Sequence, residues 1–169
     1  MPQRPPAVVG RQLYTPEERI RRDRSRWTVV QGVLAPLQLL AFLVSLWLVL
    51  SFLRTGDGAT AATISVIVKT GFLYAIMITG AIWEKEVFGV WLFARPFFWE
   101  DVVSMAVIAL HSAYLYAFLA DALDLRGQML LALVAYATYA INASQFFYKL
   151  MLARRESDAG GHAKWAAST

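Results

Sequence analysis

Four carboxylates stand close together in the sequence, at the ends of two long apolar segments. Glu84 and Glu86 end one of these segments, and Glu100 and Asp101 open the next. Ionisable groups at the edge of hydrocarbon cost free energy, so their presence there calls for an explanation. If the two ends meet, repulsion between like charges favours the protonated form of at least one carboxyl group. Such a group is a usable general acid near neutral pH, and the pattern therefore indicates acid–base chemistry.

A solvated rim is the alternative interpretation of these acids. In that arrangement the carboxylates would pair with Lys85 and Arg95, which lie in the same stretch. For Glu86 we prefer this rim interpretation, in which the carboxylate is exposed to solvent. Glu84 and Glu100 each follow a tryptophan and adjoin an apolar run, so for these two we favour a functional role.

The segment that begins at Glu100 carries further polar groups on one helical face. Ser104 follows four residues later and His111 a further seven, which is helical spacing. His111 would then lie about 16 Å from Glu100 along the helix, near the middle of a bilayer. The pattern fits a packing residue, a ligand or a proton-transfer group equally well. The other histidine, His162, lies in the C-terminal tail, so a bis-histidine haem site is not expected.

Lys69 is the one lysine deep within an apolar segment. It lies about 13 Å from Thr60 by helical rise, and an ammonium group there costs about 2.5–3.5 kcal/mol. We expect it to face the interior and to meet an acid, a carbonyl or a ligand, in a structural or a functional role. The last apolar segment offers a second polar stripe, for which interhelical hydrogen bonding is the favoured role: Thr138, Asn142, Gln145 and Lys149.

Composition indicates a membrane protein. The chain has 169 residues, of which 58% are hydrophobic, and its mean hydropathy of +0.48 is too high for an ordinary soluble domain. It has no cysteine, which excludes disulfides and thiolate chemistry. The positive charges behind its pI of about 9.6 flank the apolar segments, so they indicate membrane orientation and no nucleic-acid partner.

Four segments are long enough to cross a bilayer as helices: Trp27–Leu53, Thr60–Trp83, Asp101–Ala120 and Met129–Leu152. Short polar turns at residues 56–58 and 121–127 join the first two and the last two. Such turns predict two antiparallel helical hairpins. We therefore predict an all-α integral membrane protein, a bundle of four transmembrane helices.

The basic residues predict the orientation of this bundle. Thirteen of the 16 Lys and Arg residues lie in the N-terminal tail, the acidic connection or the C-terminal end. Arg54 and Arg126 lie in the two other turns. Both termini and the acidic connection should therefore face the cytoplasm.

Three regions follow from this pattern. Residues 1–26 form a basic tail in which Thr15, Pro16 and Glu18 predict the start of a short helix with a capping box. We expect this helix to lie against anionic lipid headgroups. Residues 27–152 form the transmembrane domain. Residues 153–169 contain a stretch rich in Gly, Ala and Ser, which predicts a disordered tail.

Several strings in this chain carry a resemblance to a known family. They are LYTPEER, VQGVLAPLQ, GAIWEKEVFG, and FFWEDVVSM followed by VIALH. With them the chain resembles the vinyl bacteriochlorophyllide hydratases of photosynthetic bacteria, from about residue 13 to residue 154. The WEKEVFG and FFWEDV strings are long and unusual in composition, so the resemblance is specific.

The resemblance implies an activity and a setting. The activity is addition of water across the 3-vinyl group of a chlorophyllide or bacteriochlorophyllide, which gives a 3-(1-hydroxyethyl) product in bacteriochlorophyll synthesis. The expected partners are the tetrapyrrole, membrane lipid and other enzymes of that synthesis, in the inner membrane of a bacterium. No cofactor and no protein-bound metal are expected, because magnesium enters only as part of the substrate.

This chemistry suggests roles for the polar residues, inferred from their positions. The first step would be protonation of the terminal vinyl carbon, and the second would be capture of the resulting cation by water. Glu100 is the leading general acid, with Glu84 as its competitor, and Asp101 would orient or deprotonate the water. His111 would ligate the substrate magnesium or relay protons. The predicted substrate-binding residues are Trp83, Trp99, Trp91, Lys69 and Asn142.

A protein of another class would share many of these features. A pigment carrier or a scaffold subunit of a biosynthetic complex would also need a membrane bundle with aromatic side chains. It would not need four clustered acids, which is why we favour the enzyme.

Overall fold

The computed structural model describes the backbone of residues 13–166 and the side chains of residues 13–155. It contains five helices and, within the described residues, no strand. They are α1 (Pro16–Arg24), α2 (Arg26–Thr55), α3 (Ala59–Phe88), α4 (Phe98–Leu119) and α5 (Leu125–Ala166). The last four each contain a stretch long and apolar enough to cross a membrane. The predicted all-α architecture with four long apolar helices is confirmed.

The turn between α2 and α3 explains where these helices end. Gly56 caps α2 in the left-handed region, with φ 83°, and its amide donates to the Phe52 carbonyl. Residues with a Cβ adopt that conformation rarely, so glycine ends the helix here at little cost. α2 and α3 extend a few residues beyond the predicted spans, because their final polar turns remain helical, whereas α4 ends one residue before the predicted end.

Packing follows the order of the chain. α2 packs mainly against α3, and α4 packs mainly against α5, with α2 also contacting α5. The core between them includes the fully buried Val49, Val66 and Val107. Polar groups also join the helices: Gln31 Nε2 on α2 donates to Thr79 Oγ1 on α3 across 2.7 Å.

The helix predicted at Thr15 is present, with its capping box. Thr15 Oγ1 accepts from the Glu18 amide, and the Glu18 carboxylate accepts from the Thr15 amide. The helix docks on the protein: Tyr14 is buried and stacks on Phe88 with ring centroids 5.7 Å apart. Arg21 Nε donates to the Val87 carbonyl at 2.7 Å. α1 therefore covers the end of α3.

The C-terminal boundary differs from the predicted one. α5 continues through Ala166, whereas an unstructured tail was expected from residue 153. This stretch is rich in Ala, Arg, Lys and Glu, which favour helix, and two glycines in succession lower that preference without ending the helix. Outside the described residues lie Arg4 and Arg11, counted above for orientation, and the side chains of His162 and Lys164.

Candidate active site

Three of the four predicted acids converge between the end of α3 and the start of α4. Glu84, Glu100 and Asp101 are 5%, 6% and 2% exposed. Glu86 is exposed and accepts a hydrogen bond from Ser25 Oγ at 2.7 Å. Glu86 is therefore exposed, as the rim interpretation predicts, with Ser25 as its hydrogen-bond partner, while the other three acids are buried together.

Glu84 and Asp101 form a pair. Their carboxyl groups lie close enough together to share a hydrogen bond. A carboxylate only accepts hydrogen bonds, so a bond between two carboxyl groups needs a proton on one of them. We call these two residues the acid pair.

Backbone amides bind one carboxyl oxygen of each member of the acid pair. They come from the connecting loop, residues 89–97, between α3 and α4. Phe93 N donates to Asp101 Oδ2 at 2.7 Å, and Ala94 N donates to Glu84 Oε2 at 3.0 Å. Phe93 adopts a φ of 62°, an uncommon conformation for a bulky residue. The loop geometry therefore directs two successive amides toward the two acids.

Glu100 is held in a different way. Its carboxylate oxygen Oε1 lies 3.5 Å from Lys149 Nζ on α5. Its backbone carbonyl accepts hydrogen bonds from Ser104 Oγ at 2.8 Å and from Asn142 Nδ2 at 2.9 Å. Asn142 thus joins α5 to α4, as predicted for the polar stripe. The charge of Glu100 is balanced within the protein by Lys149.

Lys69 and His111 are fully buried and in contact, with Lys69 Nζ 2.7 Å from His111 Nε2. His111 Nδ1 lies 2.8 Å from the Val107 carbonyl, so Nδ1 carries the hydrogen and Nε2 accepts from Lys69. The Lys69 ammonium also lies 4.0 Å from the centroid of the Tyr139 ring. Lys69 faces the interior as predicted, but its partner is a histidine where an acid, a carbonyl or a ligand was expected.

The three predicted tryptophans fall into two environments. Trp83 is half-buried, and its Nε1 donates to Thr28 Oγ1 at 2.9 Å. Trp91 and Trp99 are 60% and 69% exposed. We call these two tryptophans and the exposed Phe93 and Phe98 the aromatic rim, in which Phe98 contacts both Phe93 and Trp99. The rim includes both the connecting loop and the first turn of α4, next to the acid pair.

Two grooves of the protein lie away from the acid pair. One, of about 520 Å³, is lined by Arg26, Val29, Val30, Val33 and Leu34. A second, of about 300 Å³, lies between α2 and α3 and is lined by Leu34, Val68, Gly71, Phe72 and Ala75. Neither contains a member of the acid pair or a tryptophan. Across residues 13–155, no group of three or more His, Asp or Glu side chains is placed to hold a metal ion.

Known proteins resemble this chain over nearly its whole length. The family described as 2-vinyl bacteriochlorophyllide hydratase matches residues 14–152. The chain belongs to this family. A 2-vinyl bacteriochlorophyllide hydratase of Cereibacter sphaeroides is 59% identical over 155 residues, which cover 91% of this chain and 96% of the relative. One from Rhodobacter capsulatus is 59% identical over 163 residues, 95% of each chain. No solved structure matches significantly.

The match to the hydratase family includes every residue of the site described above. Two parts of this site were missed from the sequence: the amide donors at Phe93 and Ala94, and the contact of Lys149 with Glu100. The amides carry no side-chain signal, and they depend on the backbone angle at Phe93. The helical spacing of Lys149 places it in the polar stripe of the last apolar segment. The sequence does not show that its partner is Glu100.

Proposed function

We propose that this protein adds water to the vinyl group of a bacteriochlorophyllide and forms a 1-hydroxyethyl group. Membership of the hydratase family identifies the reaction. The acid pair carries the proposal, because hydration of an alkene needs a proton donor and a proton acceptor in one place. The relatives' names number the vinyl group 2 where the resemblance above numbered it 3, and the chemistry is the same for either number.

Proton transfer comes first in the proposed mechanism. The protonated member of the acid pair gives its proton to the terminal vinyl carbon, and the C=C π electrons form the new C–H bond. Positive charge then develops on the carbon next to the ring and delocalises into the macrocycle. The acid pair, now fully ionised, stabilises this cation electrostatically in a site with little water.

Water then captures the cation. Its oxygen forms the C–O bond, and its extra proton passes to a carboxylate of the acid pair. The pair ends with one proton, as it began, so the protein is ready for another turnover. Oxygen and hydrogen are added together without an external oxidant or reductant. The proposed reaction therefore uses protein acids and water alone, and magnesium takes part only as a component of the pigment.

The aromatic rim is the proposed platform for the pigment. Trp91 and Trp99 offer large exposed ring faces that suit stacking on a flat apolar macrocycle. Lys85 and Arg95 are exposed near the rim and would pair with the propionate group of the pigment. Trp83 lies apart from this rim and makes edge contacts with Phe88 and Phe97.

The remaining predicted site residues receive supporting roles. Glu100 and Asn142 join α4 to α5 beside the acid pair. Lys69 and His111 form a brace between α3 and α4. His111 lies about 15 Å along α4 from Asp101, and both of its ring nitrogens are engaged. We therefore transfer the role of proton donor from Glu100, the leading residue in the sequence, to the acid pair.

We also propose a membrane arrangement. α2–α3 and α4–α5 form two antiparallel hairpins in the inner membrane, with both termini and the connecting loop on the cytoplasmic side. The short turns and the distribution of Lys and Arg support this. Residues 1–26 and the end of α5 then lie outside the bilayer. Cysteines placed singly at Thr55 and Ser157 test the orientation: a membrane-impermeant thiol reagent added outside intact cells should label only the first.

The activity has a direct test. The purified protein is incubated with vinyl bacteriochlorophyllide, and the pigment is analysed by mass spectrometry. The proposal expects the pigment to gain the mass of one water only when the protein is present. Binding of the pigment without a change in mass would contradict it and favour the carrier.

A further inference from the structure

Lys149 joins three parts of the site from a separate helix. It lies on α5, its side chain is 23% exposed, and its Nζ donates to the Pro96 carbonyl in the connecting loop. The same Nζ lies 3.5 Å from Glu100 Oε1 and 5.8 Å from the centroid of the Phe97 ring. One ammonium group therefore fixes the end of the loop to the first turn of α4.

The connecting loop needs such a contact because its backbone is strained. Phe93 is held at a φ of 62°, a conformation that costs of the order of 1–3 kcal/mol unless its surroundings enforce it. In this conformation its amide and that of Ala94 reach the acid pair. If the end of the loop is released, both amides are free to turn away from the two acids.

We propose that Lys149 is a positioning residue for the acid pair, which it serves by holding the connecting loop whose amides bind Glu84 and Asp101. The inference rests on the proposed function. Lys149 touches neither member of the pair, so it acts through Pro96 and the loop.

Other contacts hold α4 to α5. The positioning role of Lys149 can therefore be distinguished from a contribution to the stability of the fold. Asn142 Nδ2 binds the Glu100 carbonyl at 2.9 Å and Ser104 Oγ at 3.0 Å, and both bonds are independent of Lys149. The helices should therefore remain packed in a Lys149 variant. The change should be confined to the connecting loop and to the rate of the reaction.

Steady-state kinetics provide the first test, with Lys149→Met, Lys149→Arg and the matched control Arg154→Met. Arg154 is an exposed cation on the same helix. For Lys149→Met we expect kcat to fall about 10- to 100-fold, as small misplacements of catalytic groups do, with KM within about threefold of wild type because the aromatic rim is intact. Lys149→Arg should recover most of kcat, and Arg154→Met should match wild type. An unchanged kcat in Lys149→Met, or no recovery in Lys149→Arg, would overturn the inference.

Hydrogen–deuterium exchange of residues 89–97 provides a second test that needs no activity. We expect the Phe93 and Ala94 amides to exchange faster in Lys149→Met than in wild type or in Arg154→Met. Equal exchange in all three would refute the role of Lys149. If Lys149→Met cannot be purified folded, Lys149→Gln takes its place, because its shorter amide cannot span the same contacts. Failure of the proposed function would have a different result: wild-type protein would add no water to the pigment, whatever the exchange rates of the loop amides.

Discussion

Glu84, at the end of α3, lies within reach of a shared hydrogen bond with Asp101, in the first turn of α4, and the two acids accept from successive amides of one loop. Each acid thus has a proton-sharing partner and a fixed backbone donor. This arrangement fixes both carboxyl groups before a substrate arrives. Preorganised groups of this kind need little rearrangement as charge develops in a reaction.

Isotope labelling tests the order of the proposed steps. When the reaction is run in D2O, the terminal vinyl carbon should receive one deuteron, since the acid pair exchanges its proton with solvent before each turnover. The product methyl group should then carry a single deuterium that remains after return to H2O, as measured by mass spectrometry and NMR.

A control excludes exchange after the reaction. Authentic hydroxyethyl product, incubated with the protein in D2O, should take up much less label than is found during turnover. A methyl group without deuterium after turnover would rule out protonation of the vinyl carbon by an exchangeable group.

The Lys69–His111 pair should respond differently to loss of each partner. Lys69→Met removes an ammonium whose burial costs about 2.5–3.5 kcal/mol and leaves one unpaired nitrogen on His111, which costs about 1–3 kcal/mol. These terms nearly cancel, so the free energy of unfolding should change by less than about 1 kcal/mol. His111→Leu leaves the buried Lys69 without its acceptor and should destabilise by about 3 kcal/mol.

Thermal or denaturant unfolding in detergent measures both changes, and combining the two substitutions should recover most of the loss seen in His111→Leu. The matched control is Ile78→Leu, at an exposed position on α3. If Lys69→Met proved as destabilising as His111→Leu, this expectation would be wrong, and the Lys69 ammonium would be a net contributor to stability.

The docking of α1 can be tested by proteolysis. Tyr14→Ala removes the ring that stacks on Phe88 and contacts Phe97, so α1 should detach more often from the end of α3. Limited trypsin digestion should then cleave after Arg19 several-fold faster than in wild type. Val29→Ala on α2 serves as the control, because Val29 is 68% exposed and lies away from the cleaved bond. Equal cleavage rates in all three proteins would show that Tyr14 does not hold α1.

Much of the fold could be predicted from the sequence because its signals are local. Apolar length predicts four helices, and the capping residues at Thr15 and Glu18 predict the start of α1. Helical spacing likewise places Glu100, Ser104 and His111 on one face, and all three are buried. These features need only the period of a helix and the thickness of a bilayer.

The pairing of the acids could not be predicted because it depends on backbone geometry. The sequence brings Glu84, Glu100 and Asp101 to the same edge, but it does not determine which two will meet. That choice follows from the φ of Phe93, which directs one amide to Asp101 and the next to Glu84. Lys149 then pairs with Glu100 from α5, a contact that depends on how the helices pack.

The most direct test of the account is the rate of vinyl hydration by Glu84→Gln and Asp101→Asn, followed as gain of one water by mass spectrometry. Each replacement keeps the size of the side chain but removes its ability to exchange a proton. We predict a loss of about 100-fold or more in kcat for both. Glu86→Gln, which changes an exposed acid outside the acid pair, should keep wild-type activity. Near wild-type rates in Glu84→Gln and Asp101→Asn, with loss of activity in Glu100→Gln, would contradict the assignment of the acid pair as proton donor.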